Sequence, residues 1–144
     1  MDLADLRQRI PAILVELGED KETVSLGTDA WVLHHGSTMG YVAILGADVP
    51  DADPVLQVKF RIIRAPAEGG EELLRTLLQL NHEMADVAAF SLDEQDIIWL
   101  GAGRFVEDLN SEVELREVIG QTAQLADRYD NKLLEAFGKD LELE

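Results

Sequence analysis

The C-terminal third of the chain has the hydrophobic spacing of a long amphipathic helix. Apolar residues recur at intervals of three and four from Leu115 to Phe137, which keeps one helical face against a core. Ser111 and Glu114 have the spacing of a capping box, in which each side chain satisfies the other residue's free backbone N–H. Gly138 follows, and glycine ends many helices. The pattern predicts a helix from Ser111 to about Gly138.

The N-terminal residues carry a second helical stripe. Its apolar members are Leu3, Leu6, Ile10, Ile13, Leu14 and Leu17. Pro11 interrupts the stripe and has no backbone N–H, so the helix either kinks there or becomes regular from about Ile10. We expect a helix over most of this segment.

A third helix is predicted over residues 71–84, directly after Gly69 and Gly70. Its leucines are dense enough to cover more than one stripe. A helix that is apolar over so wide an arc usually contacts two surfaces, here its own sheet and a second subunit. We therefore expect self-association. Its predicted interface comprises Leu73, Leu74, Leu77, Leu78, Val87 and Phe90.

The segments between these helices have the composition and alternation of β-strands. Three strands are predicted at residues 30–35, 39–47 and 55–64, and two more at residues 86–92 and 97–107. The order is helix, three strands, helix, two strands, helix. This order predicts a single α+β domain over residues 1–144.

The strand at residues 55–64 alternates most clearly. Its apolar residues, Leu56 to Ile62 at every second position, point one way, while Lys59 and Arg61 point the other way. We interpret this basic stripe as a solvated outer face, with a contact site for acidic segments as the alternative. In the last strand, Gly101 and Gly103 indicate a bulge or a close backbone approach.

Composition narrows the class of protein. A chain of 144 residues with 47% apolar composition can bury one core, and it contains no cysteine, which excludes disulfides and thiolate metal sites. The N-terminus lacks the basic and apolar regions of a signal peptide, and no apolar run has the length of a membrane span. We expect a cytoplasmic protein that does not bind membranes.

The charge is strongly negative. Twenty-nine acidic residues against twelve basic ones give a net charge of -17. This charge repels nucleic acid backbones and favours basic partners, so we predict no direct nucleic acid binding. A basic client, for instance a nucleic-acid-binding protein, fits the charge, and the alternative is that acidity only keeps the protein soluble.

The sequence contains no recognisable catalytic, cofactor or metal motif. His34 and His35 are adjacent in a strand and point to opposite faces, so they do not bind one metal together. Gly101 and Gly103 lack the third glycine of a dinucleotide fingerprint, because position 106 is valine. We predict a non-enzymatic protein without cofactors and retain a hydrolase using scattered carboxylates only as a remote alternative.

The aromatic residues are mainly expected in the core. A sheet with helices on one side nevertheless leaves strand surface exposed, where aromatic side chains can line a groove for a client polypeptide. Trp31, Tyr41 and Trp99 are the predicted client-binding residues.

The chain resembles the bacterial YbjN-like family over nearly its whole length. The resemblance rests on the order of elements, the acidic charge, the run from Arg104 to Leu109, the sequence from Ala126 to Asp130, and Phe137-Gly138. This family shares its fold with the type III secretion chaperones, of which the Tir chaperone group is typical. The resemblance implies a twisted antiparallel sheet backed by helices, a homodimer and a habit of binding polypeptides on apolar grooves.

Two hypotheses of function follow. The first is a chaperone-like or adaptor-like protein that holds a basic client on apolar grooves of a homodimer. The second, suggested by the family resemblance, is a ligand-sensing or stress-response regulator with a small molecule between the sheet and the third helix.

Overall fold

The computed structural model describes residues 1–17, 24–85 and 87–143, with Val24 described by its backbone alone. In this part of the chain the helices are α1 (Leu3–Leu17), α2 (Glu71–Met84) and α3 (Glu112–Phe137). The strands are β1 (Val24–Ser25), β2 (Ala30–His35), β3 (Thr38–Leu45), β4 (Val55–Arg64), β5 (Ala89–Leu92) and β6 (Ile97–Phe105). The predicted α+β order is confirmed, with the short β1 added before the first predicted strand.

The described strands form one six-stranded antiparallel sheet in the order β1-β2-β3-β4-β6-β5. β4 lies between β3 and β6 and alternates as predicted, with Leu56, Val58 and Phe60 fully buried. The bulge lies in β4, where the register shifts between Arg61 and Ile63, and not at the glycines of β6. The close backbone approach predicted for β6 is present at Gly101.

Three strands have boundaries that differ from the predicted ones. β3 spans Thr38–Leu45 instead of residues 39–47. β5 begins at Ala89, and the predicted start at Asp86 lies outside the described residues. β6 ends at Phe105, because a single 3₁₀ turn from Val106 to Asp108 follows it. The backbone N–H of Val106 donates to the carbonyl oxygen of Pro54 at 2.9 Å, which fixes the start of this turn.

The core lies between one face of the sheet and the helices α1 and α3. α1 continues through Pro11, and its residues Ile10, Ile13 and Leu14 are fully buried. The apolar face of α3 supplies Leu115, Ile119 and others to the same cluster. Packing of these faces stabilises α1 despite the backbone donor that its proline lacks.

The N-terminus of α3 is capped by side chains. Ser111 Oγ accepts a hydrogen bond from the Glu114 backbone N–H at 3.2 Å. Glu114 Oε2 in turn accepts from the Asn110 backbone N–H at 2.9 Å, one residue earlier than the predicted capping box requires. The predicted start of the helix is confirmed, and its cap involves Asn110 as well.

We expect Ser111→Ala to lower the free energy of unfolding by about 1 kcal/mol, because the mutation leaves a first-turn N–H of α3 without its acceptor. Urea denaturation followed by circular dichroism measures this change. Ser91→Ala, which replaces an exposed serine of β5, is the control and is expected to stay within about 0.5 kcal/mol of wild type. Equal losses in the two variants would contradict the capping role.

Candidate functional site

The first candidate surface consists of leucines that the fold leaves exposed on α2 and at the end of β5. Leu74 is 37% exposed, Leu78 69% and Leu92 47%. These three residues line one cavity of about 200 Å³ between the helix and the strand. We call them the α2–β5 surface. Exposed leucines that lie together are typical of protein contact sites, whereas single ones need no explanation.

The predicted interface residues of α2 divide between two environments. Leu74 and Leu78 face outward, but Leu73 and Leu77 are only 2% and 5% exposed because they pack into the core. Phe90 is also buried and packs edge-to-face against Tyr129 of α3, with ring centroids 5.5 Å apart. The prediction of Leu73 as an interface contact is corrected, because its side chain is occupied within the core. Leu77 and Phe90 are mostly buried but also line the cavity between α2 and β5, so they remain predicted contacts.

Val87 is exposed, as an interface residue must be, but it lies apart from the α2–β5 surface. It borders a separate cavity of about 210 Å³ whose other walls come from α3, including Leu125 and Arg128. Val87 is thus positioned to extend an interface toward α3 and does not line the cavity between α2 and β5.

The outer edge of β5 is covered by a side chain of α2. The Phe90 backbone N–H donates to Asn81 Oδ1 at 2.6 Å, and Asn81 Nδ2 donates to the Phe90 carbonyl oxygen at 3.2 Å. An unpaired edge strand is otherwise a template for another strand. Because Asn81 occupies both backbone groups of Phe90, these groups are not available to pair with a further strand.

The second candidate surface is the face of the sheet opposite to the core, which we call the open sheet face. On β2 to β4 the core-side residues are buried, whereas most residues on the other side are half-buried or exposed. By register, the centre of this face contains Met39, Tyr41, Lys59, Arg61 and Trp99. One end contains Leu45, Val55 and Phe105.

Tyr41 and Trp99 form an aromatic pair across β4 on the open sheet face. Their ring centroids are 5.7 Å apart and their planes meet at 68°, an edge-to-face arrangement. Tyr41 Oη donates to Gln57 Oε1 at 3.1 Å, and Trp99 Nε1 donates to Asp93 Oδ2 at 2.8 Å. Burial raises the pKa of Tyr41, so its phenol stays neutral at physiological pH. Both rings are therefore held in place.

Trp31, the third predicted client-binding residue, lies on the opposite side of the sheet. It pairs with Val42 and is 4% exposed within the core. Strand parity explains the difference, because Trp31 is one residue from Val32, which pairs with Tyr41. The prediction of Trp31 as a client contact is corrected, while Tyr41 and Trp99 remain predicted contacts.

The cations of the open sheet face lie close to the backbone. Lys59 pairs with Gly101, where an added Cβ would lie 2.8 Å from Lys59 Cγ, so the lysine side chain crosses the space that glycine leaves. Arg61 Nε is buried and has no hydrogen-bond partner in the described residues. Its Nη2 lies 3.9 Å from Met39 Sδ, which is a weak acceptor. Sequence reasoning found the basic stripe but not this unpaired donor.

A third feature is a polar cavity of about 290 Å³ at the turn between β2 and β3, which we call the turn cavity. Ser37, Arg61, Asp130 and Glu142 are among its lining residues. Asp130 is only 6% exposed, and Ser37 Oγ donates to its Oδ2 at 2.5 Å. The sequence analysis did not single out Asp130. The available signal was its position on the apolar stripe of α3, between Ala126 and Leu133.

Burial raises the pKa of Asp130 above its usual value. The hydrogen bond from Ser37 opposes this rise, while the nearby carboxylates of Glu142 and Asp127 add to it. The fold therefore disfavours the charged form of the Asp130 carboxyl in the turn cavity.

The described residues contain no group of three or more side chains placed to hold a metal ion. Among the described helices, none combines the length and the apolar composition needed to cross a membrane.

We expect Asp130→Asn to raise the melting temperature at neutral pH and to have no effect in acid. A carboxyl with a raised folded-state pKa stabilises the fold fully only below its unfolded-state pKa, and this contribution is lost as pH rises through the folded-state pKa. Wild type and variant should therefore converge as pH falls toward about 4. Scanning calorimetry across this pH range measures the difference.

Glu135→Gln removes an exposed charge from the same helix and serves as the control. A stabilisation by Asp130→Asn that does not change with pH, or that Glu135→Gln reproduces, would contradict the burial effect.

Comparisons with known proteins agree with this geometry. The model of the YbjN family, described as "putative bacterial sensory transduction regulator", matches residues 6–135. Among solved structures, the crystal structure of the ExsC-ExsE complex is similar, with a TM-score of 0.59, 18% identity, and coverage of 89% of this chain and 96% of that one. This similarity shows a shared fold, and the expected α+β fold is confirmed. Among curated proteins, none matches the chain.

Proposed function

The chain belongs to the YbjN family, and from this premise we propose that it is a non-enzymatic protein-binding protein that works as a homodimer in the manner of a chaperone or adaptor. The observation that carries this proposal is the α2–β5 surface, where Leu74, Leu78 and Leu92 are exposed together. The similarity in fold to a chain solved in the ExsC-ExsE complex supports binding of another protein.

Self-association is assigned to the α2–β5 surface. Removing apolar surface from water contributes about 25 cal/mol per Å², so paired leucines from two copies supply a favourable term that one chain lacks. Asn81 covers the edge of β5 at Phe90, and the contact is therefore made by side chains of α2 and β5. Val87 extends this interface toward α3.

Client binding is assigned to the open sheet face, with Tyr41 and Trp99 as contacts. Its mechanism is binding without turnover, in which apolar contact supplies affinity. The net charge of -17 accelerates encounter with basic proteins at low salt, and a nucleic-acid-binding protein is one such client. The protein itself acts in the cytoplasm and does not contact nucleic acid directly.

A ligand-sensing or stress-response regulator is the second candidate function. The turn cavity favours it, because the cavity lies between the β2–β3 turn and α3, and Arg61 and Asp130 line it with opposite charges. Its volume of about 290 Å³ is at the lower end of small-molecule sites. A ligand-dependent rise in melting temperature that Asp130→Asn abolishes would support this function over the first.

We expect Leu74→Asp with Leu78→Asp to convert a dimer into a monomer, because both side chains are exposed in one chain and buried between two. Sedimentation equilibrium measures the change as a weakening of self-association by about 100-fold or more, since each buried charge opposes the contact.

The matched control is Val15→Asp with Val113→Asp, which places the same charges on exposed valines of α1 and α3. Circular dichroism confirms that each variant is folded. If the leucine variant remains as dimeric as the control, the interface lies elsewhere.

We expect wild type to recover a basic protein from lysate of the native host at low salt and to release it at high salt, because screening weakens long-range attraction. Tyr41→Ala with Trp99→Ala should lose this protein while remaining dimeric. Affinity capture with mass spectrometry provides the measurement. Recovery of nothing except the protein itself, or capture that is insensitive to both salt and the aromatic pair, would contradict client binding as proposed.

A further inference from the structure

The open sheet face differs in charge from the rest of the molecule. Acidic residues make up 29 of the 144 positions, yet none lies on the open face of β2 to β6. Lys59 and Arg61 are at the centre of this face and His34 is in the row of Arg61. Because Asp and Glu are rare in strands generally, their absence alone decides nothing. Whether Lys59 and Arg61 already have carboxylate partners says more about what this face can bind.

Among the residues that the structure describes, neither cation forms an ion pair with a carboxylate. The ion pairs of the described residues involve Arg7, Arg9 and Arg116, and not Lys59 or Arg61. Arg61 is half-buried, and its buried Nε lacks any hydrogen-bond partner in the described part of the chain. A buried donor that stays unpaired is costly, and a carboxylate is the partner that guanidinium groups bind best.

Asp93, the carboxylate at the rim of this face that contacts Trp99, is already engaged. Asp93 accepts hydrogen bonds from the indole N–H of Trp99 at 2.8 Å and from the backbone N–H groups of Gln95 and Ile97 at 2.8 and 3.0 Å. These bonds, that of Trp99 first, hold the pKa of Asp93 below its usual value. Asp93 therefore fixes the tryptophan and does not neutralise Arg61.

Apolar groups lie beside the two cations on this face, although Arg61 also borders the turn cavity that Asp130 and Glu142 line. Tyr41 and Trp99 flank them, and Leu45 and Phe105 at the end of the face are 46% and 49% exposed. A partner segment that fits this face therefore mixes carboxylates with apolar side chains. Five strands at a spacing of about 4.8 Å extend about 20 Å, which about six extended residues cross.

We propose that the open sheet face binds an acidic segment of the client, with its carboxylates on Lys59 and Arg61 and its apolar side chains on Tyr41 and Trp99. This inference rests on the proposed protein-binding function and names the chemistry of the contact. A client that is basic overall still fits this proposal. Its net charge governs the long-range encounter with this acidic protein, whereas only its acidic segment contacts Lys59 and Arg61.

The test uses three synthetic peptides of about twelve residues, long enough to cross the face. They are built from repeats of Glu-Glu-Leu-Leu, Gln-Gln-Leu-Leu and Lys-Lys-Leu-Leu, so that each face of an extended chain presents both residue types. Titration into the Trp31→Phe variant makes Trp99 the reporting fluorophore, after circular dichroism confirms its fold. Each peptide titration uses a fixed protein concentration, and a separate dilution series without peptide tests whether the Trp99 signal depends on protein concentration.

We expect the glutamate peptide to change Trp99 fluorescence and to bind about tenfold or more tightly than the glutamine peptide, with the lysine peptide weakest. Lys59→Gln with Arg61→Gln should remove this preference. Arg128→Gln with Lys132→Gln, which makes the same charge change on exposed residues of α3, should retain it.

Equal binding of the three peptides at Trp99 would overturn the acidic specificity and leave the proposed protein-binding function intact. No binding of any peptide would overturn both the acidic segment and the client face. A Trp99 signal that changes with protein concentration alone would identify a second copy as the occupant and overturn the proposal in favour of self-association.

Discussion

The structure depends on the two-sided character of β4, the strand between β3 and β6. Leu56, Val58 and Phe60 on one side are fully buried beneath α1 and α3, whereas Lys59 and Arg61 on the other side remain half-buried. Strand geometry forces successive side chains to opposite faces, so a core on one side necessarily presents the intervening residues on the other. The open sheet face is thus a direct consequence of how the core is built.

The leucines of α2 are likewise divided between the core and the surface. Leu73 and Leu77 complete the core beside Phe90, and the adjacent Leu74 and Leu78 point away from it. Helix periodicity allows one short sequence to serve both purposes, since each pair is four residues apart. The molecule therefore separates two surfaces of different chemistry. The α2–β5 surface is apolar and suited to self-association, and the open sheet face combines aromatic rings with unpaired cations.

Features that follow from the spacing of apolar residues were predictable from the sequence. Contacts between side chains of different elements were not. β2 and β4 have the predicted bounds, and the cap at Ser111 was visible from its spacing. Trp31 was misplaced because a lone aromatic residue does not reveal which face its strand buries. Asn81 of α2 forms hydrogen bonds with the backbone of Phe90 in β5, and Asp130 of α3 is buried where it accepts from Ser37. These contacts join different elements, and local sequence patterns do not reveal them.

The central claim is that the two surfaces contact different molecules. A photoactivatable cross-linking residue placed at Leu78 or at Phe105, which is exposed at one end of the open sheet face, tests it directly in cells of the native host. The account predicts that position 78 yields an adduct of twice the chain mass and that position 105 yields an adduct with a different protein. Self-adducts at both positions, or the same partner protein at both, would contradict it.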